Sequence, residues 1–136
     1  IAVIFNLGVN DLGNAGNYVS YMTNMASTLK SKNCKLFYMS VNPINSTMIT
    51  KAGRGARTEA QVREFNSKIR SGLSLDYKYI DMYSVLMKKG YGTNASYNGT
   101  DADSDDGLHY TTKTFKRIYY YCITYLNTGS INASYY

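Results

Sequence analysis

The chain opens on an uninterrupted apolar run, Ile1-Ala-Val-Ile-Phe5, and passes at once into polar residues, Asn6, Asn10 and Asp11. An apolar run with no alternation is the pattern of a strand covered on both faces, so these residues predict a buried strand that leaves its sheet near Asn6. From Asn14 to Lys32 the period changes. Val19, Met22, Ala26 and Leu29 recur at helical spacing with Asn and Ser opposite them, which predicts an amphipathic helix. Lys35 to Val41 then forms a second apolar strand, ended by Asn42-Pro43 because proline cannot donate to a ladder and biases the residue before it away from helix.

After a loop carrying Gly53 and Gly55, Thr58 and Gln61 have the spacing of a capping box, and Val62, Phe65 and Ile69 share one helical face until Ser71-Gly72. Tyr79 to Met82 predicts a short third strand. Tyr91 to Gly107 is a long loop rich in Gly, Asn and Asp, a type that commonly carries function. A last helix starts at Thr111 or Thr112, turns Phe115, Ile118, Cys122, Ile123 and Leu126 toward the core, and stops at Asn127-Thr-Gly129. Strand and helix alternate three times, and parallel neighbours need such crossovers, so the class is α/β with a parallel sheet. Residues 1–136 read as a single domain whose tail, 130–136, frays.

Composition adds mainly exclusions. A chain of 136 residues that is 44% hydrophobic supports one ordinary core. The net charge of +6 is scattered, with modest clusters at Lys88-Lys89 and Lys113 to Arg117, so it reads as a solvated basic face and indicates no nucleic-acid partner. Fifteen Tyr against four Phe and no Trp supply amphipathic filling between core and water. Tyr119, Tyr120 and Tyr121 point in different directions on one helix and cannot make a single stacking platform. Cys34 and Cys122 have no partners at metal-ligand spacing, so no metal is expected, and two buried free thiols are a better reading than a disulfide. Sequons at Asn45, Asn94, Asn98 and Asn132 are no more than this Asn-, Ser- and Thr-rich composition produces by chance. No run approaches the roughly 18 apolar residues that would span a bilayer, and no charged leader with an apolar core marks a signal peptide. With no initiator Met, something is expected to precede Ile1.

In open parallel sheets ligands sit beyond the carboxyl ends of the strands. Asn10 follows the first strand, Asn42 the second, and Asp106-Gly-Leu-His109 the third. His109 is the only histidine, and its place ahead of a helix at the end of a polar loop is unlike that of a core histidine. Asp106 at this spacing can accept from the ring Nδ1–H, which fixes the tautomer and leaves the other nitrogen as a base. Asn10 offers an amide that could donate to a developing oxyanion, and Gly8 lets the backbone turn closely there. An Asn in a turn also has a plain structural use, bonding its own backbone.

Gly8-Val9-Asn10-Asp11 resembles the Gly-x-Asn-Asp block of the SGNH, or GDSL-like, hydrolases, and Asp106-Gly107-Leu108-His109 resembles their Asp-x-x-His block. The resemblance implies a flavodoxin-like three-layer sandwich and serine-dependent hydrolysis of esters without a cofactor. His109 would be the base, Asp106 its orienter and Asn10 an oxyanion-hole donor, with Gly8, Asp11 and Asn42 lining the site. The family's Gly-Asp-Ser block, which supplies the nucleophile, occurs nowhere in the chain, nor does the block that gives a Gly to the oxyanion hole. The first strand therefore corresponds to the family's third, and two βα units, roughly 60 residues at about 30 per βαβ repeat, are expected upstream. A separate chain, an incomplete sequence and a natural inactive module all remain open as explanations. An acylated polysaccharide or cell-wall polymer suits the basic, Tyr- and Asn-rich composition better than a lipid, and a secreted or surface location in a bacterium is favoured.

The alternative is a non-catalytic binding module with a cation site in Asp101 to Asp106. Its spacing does not fit an EF-hand, which wants Gly where Asp106 stands and Glu where Thr112 stands. No Gly-x-Gly-x-x-Gly follows a strand, so nucleotide binding is not indicated.

Overall fold

The computed structural model describes residues 1–72, 77–92 and 106–132. In chain order the elements are β1 (Ala2–Phe5), α1 (Ala15–Ser31), β2 (Lys35–Met39), α2 (Ser46–Lys51), α3 (Glu59–Ser71), β3 (Tyr77–Ile80), α4 (Met82–Lys88) and α5 (Thr112–Thr128). The class is α/β. The three strands form a parallel sheet in the order β1-β2-β3, with Ala2 opposite Lys35 and Leu36 opposite Tyr77. The chain divides into two compact units, Ile1–Asn42 with Ala60–Asp81, and Pro43–Glu59 with Met82–Tyr136.

The first unit holds the sheet, α1 and nearly all of α3. Its centre is β2, where Leu36, Phe37, Tyr38 and Met39 are all buried. Met22 and Ala26 of α1 are buried as their spacing predicts, and so are Val62, Phe65 and Ile69 of α3. Successive crossovers that step the same way along a sheet are right-handed and lay their helices on one face. The edge-on contact of Tyr18 from α1 with Phe65 from α3, 5.4 Å between ring centroids, is what that arrangement brings about. Asn66 of α3 fixes the end of β2: Val41 N–H donates to its Oδ1 at 2.8 Å and its Nδ2 donates to Val41 O at 2.9 Å.

Two expectations for this unit need correction. The first strand is not covered on both faces, since Ala2 is exposed and Val3, Ile4 and Phe5 are only half-buried. An apolar run records what a strand can bury, whereas its neighbours set what it does bury, and among the described residues β1 pairs with β2 alone. The third strand is Tyr77–Ile80 and not Tyr79 to Met82, because the helix α4 starts at Met82 and buries it. Short apolar runs do not distinguish the two states by period.

In the second unit α5 is capped at both ends. Thr111 accepts from Thr114 N–H through its side chain, and Gly129 turns left-handed at φ 75° with its N–H on Tyr125 O. The helix buries Thr114, Ile118, Tyr121 and Cys122. Phe115, Ile123 and Leu126, expected to face the core, are exposed instead. Apolar residues occupy two stripes of this helix, only one of which is buried, and spacing alone does not separate them. Burial pushes the Cys122 thiol up to about 11, while Cys34 is only half-buried, and no disulfide joins them. The helices α2 and α4 were not anticipated, being too short for a helical period to show. Among the described residues no helix is long and apolar enough to cross a membrane.

Candidate active site

The strongest chemical constellation lies in the second unit and begins with a glycine. Gly107 has φ +82°, and a Cβ there would stand 2.4 Å from Asn45 O and 2.9 Å from Ile49 N, so only glycine lets the segment lie against the start of α2. Asn45 caps that helix, accepting from Met48 N–H at 3.0 Å, and its own N–H donates to Gly107 O at 2.8 Å. This sequon asparagine is thus buried and engaged internally. On the other side Tyr110 donates to Pro43 O and packs edge-on against Tyr91, 5.8 Å between centroids. The four residues Asp106 to His109 are therefore held at both ends by polar and aromatic contacts.

Within this frame Asp106 is 11% exposed and its carboxylate is fully engaged. Oδ1 accepts from the N–H groups of Leu108 at 2.9 Å and His109 at 2.8 Å. Oδ2 lies 2.8 Å from His109 Nδ1 and 3.1 Å from Arg54 Nε. Burial alone would raise this carboxyl, but the backbone N–H of His109, the His109 ring and the backbone N–H of Leu108 together hold it well below its usual range. An ionised carboxylate can only accept, so Nδ1 carries a proton and the neutral ring keeps its lone pair on Nε2. The ring is 66% exposed, which leaves that nitrogen accessible.

The other predicted residues belong to the first unit. Gly8 has φ +122°, and a Cβ there would meet Phe65 Cζ at 2.5 Å. The Leu7 carbonyl before it accepts from Tyr38 OH at 2.6 Å. Burial pushes the Tyr38 phenol far up, so it is a neutral donor. Asp11 N–H closes the turn on Gly8 O at 2.8 Å, and the Asp11 carboxylate accepts from Tyr18 OH at 2.8 Å. Asn10 stands exposed on this braced turn. Asn42 follows β2, and its side-chain oxygen is buried and meets no donor among the described residues.

Asp106 and His109 are thus brought together directly, and Gly8, Asn10, Asp11 and Asn42 sit at strand ends of the other unit. Residues 101–105 of the supposed cation loop lie outside the described residues. Among the described residues no three His, Cys, Asp or Glu side chains cluster as metal ligands. Sequence reasoning missed Arg54, Asn45, Tyr38 and Tyr18. The Gly53-Arg54-Gly55 run was visible as a turn, but nothing in it announces a carboxylate partner 52 residues downstream. The chain matches no protein-family model, no curated protein and no solved structure.

Proposed function

We propose that this chain is the C-terminal catalytic part of an SGNH-type serine ester hydrolase whose nucleophile is supplied by upstream βα units. The observation that carries the reading is the His109 Nδ1 to Asp106 Oδ2 contact at 2.8 Å, with the carboxylate enclosed and the ring exposed. An orienting carboxylate on Nδ1 and an accessible Nε2 are the two requirements of a general base in acyl transfer. The Ser hydroxyl gives its proton to His109 Nε2 as its oxygen bonds to the ester carbonyl carbon. The Asn10 amide donates to the oxyanion that forms. Collapse of that intermediate breaks the bond to the alcohol, which takes the proton from His109 as it leaves. Water then gives a proton to His109 and attacks the acyl-serine, releasing the acid and returning the proton to Ser.

Two surfaces favour an upstream partner. The outer edge of β1 carries none of the charges, prolines or bulges that protect natural edge strands, and beside it lies an apolar groove of about 490 Å³ lined by Phe5, Leu7, Tyr21, Met22 and Met25. Separately, α5 exposes Phe115, Tyr119, Ile123 and Leu126 along one stripe. The sequential order β1-β2-β3 is compatible with the last three strands of a flavodoxin-like sheet, in which a further strand would pair along β1. The substrate we favour is an acylated polysaccharide, in keeping with the net charge of +6 and the Tyr- and Asn-rich composition.

The test is ester turnover by the chain joined to Gly-Asp-Ser-bearing βα units. His109→Ala should leave only the roughly 10³- to 10⁴-fold residual over water that binding and the oxyanion hole provide. Asn10→Ala should cost about 10²- to 10³-fold in kcat, as one donor among several. Undiminished turnover in His109→Ala would refute the proposal.

A further inference from the structure

The Asp106 carboxylate has a partner that the proposed mechanism does not require. Arg54 Nε approaches the oxygen, Oδ2, that already faces His109 Nδ1. Its position is built rather than incidental. Gly53 and Gly55 flank it with φ of +65° and +79°, its own N–H donates to Ile49 O at 3.1 Å, and Arg57 donates to its carbonyl. The segment around α2 therefore meets this stretch twice: its cap Asn45 binds Gly107, and Arg54, just beyond its end, meets Asp106.

We propose that Arg54 acts on the His109 ring through Asp106, drawing on the shared carboxylate oxygen and so disfavouring a second proton on the ring. The other carboxylate oxygen is already held by two backbone N–H groups, so Arg54 is not needed to fix the side chain in place. Its effect is electrostatic. A guanidinium on Oδ2 lowers the negative charge available to Nδ1–H and opposes a second positive charge on the ring. The charged groups near in sequence are of both signs, Lys51, Arg57 and Lys113 being cationic and Glu59, Asp103 and Asp105 anionic, so the test rests on changing Arg54 alone. Arg54 is 56% exposed, so solvent screens its contribution to the range of a surface pair. The role in catalysis rests on the hydrolase reading; the electrostatic effect on the ring does not.

Because His109 is the only histidine, its ring ¹⁵N signals are unambiguous in the chain as it stands. They would be recorded at one fixed pH near neutrality for the parent, Arg54→Leu, Arg54→Lys and Asp106→Asn. Arg54→Leu should raise the ratio of doubly protonated to neutral ring about two- to fivefold, the range of a surface ion pair, and the difference should shrink in 1 M salt, where the Debye length is about 3 Å. Arg54→Lys, which keeps the charge, should restore the parent ratio, and Asp106→Asn should lower it. A ratio in Arg54→Leu no higher than in the parent would overturn the proposal. Transfer of the neutral-ring proton to Nε2 in Arg54→Leu would also overturn it, by showing that Arg54 holds the carboxylate in place. Failure of the complete protein to hydrolyse esters would refute the hydrolase reading and leave these ring signals to decide the role of Arg54.

Discussion

At the scale of single residues, Asp106 binds its surroundings only as an anion, and this sets a pH dependence. Its folded-state pKa lies below the ordinary value of about 3.9, so its contribution to stability is complete above that value and is lost as the pH falls from there toward the folded-state pKa. The urea midpoints of the parent and Asp106→Asn should therefore differ by a constant amount above about pH 5 and converge below about pH 4. A gap that persists unchanged to about pH 2 would mean that the carboxylate does not gain from its N–H donors and ring partner. Gly8 illustrates how far a single residue could be read. It was legible as a close turn because it follows a strand and precedes Asn10. The reason it must be glycine, the Phe65 ring packed where a Cβ would go, depends on a helix 57 residues away and leaves no local signal.

At the scale of elements, α1, α3 and α5 and the first two strands were legible from period and punctuation, because each is long enough or sharply enough bounded for one pattern to dominate. Length failed where α2 and α4 span only 6 and 7 residues, and β3 shifted because Asp81 separates a strand from a helix whose first residue is also apolar. The choice of buried stripe on α5 failed for a different reason. Thr114, a polar residue, is wholly buried, while Phe115 next to it is 54% exposed, so hydrophobicity pointed the wrong way at the first turn. If the exposed stripe meets the upstream units, Tyr119→Lys with Ile123→Lys should change the stability of this chain by no more than about 0.5 kcal/mol per site, as for ordinary surface substitutions. The same pair should weaken association with the upstream units at least tenfold by calorimetry. Unchanged association would remove α5 from the interface.

At the scale of the molecule, the proposed reading makes the Asp106 and His109 pair a base and its orienter, whereas the 136 residues contain no Gly-Asp-Ser. A base without a nucleophile can promote slow attack by water on activated esters but forms no acyl-enzyme. In the proposed reading the Ser comes from upstream units, and with two separate chains the rescue would depend on concentration, as any association does. The central claim is therefore that the nucleophile lies outside Ile1–Tyr136, and mass spectrometry after treatment with a serine-directed fluorophosphonate tests it most directly. The chain alone should remain unlabelled, and the chain with its Gly-Asp-Ser-bearing half should take up one phosphonyl group, on the upstream Ser, that is lost in His109→Ala. Stoichiometric labelling of any Ser within this chain alone would contradict the account.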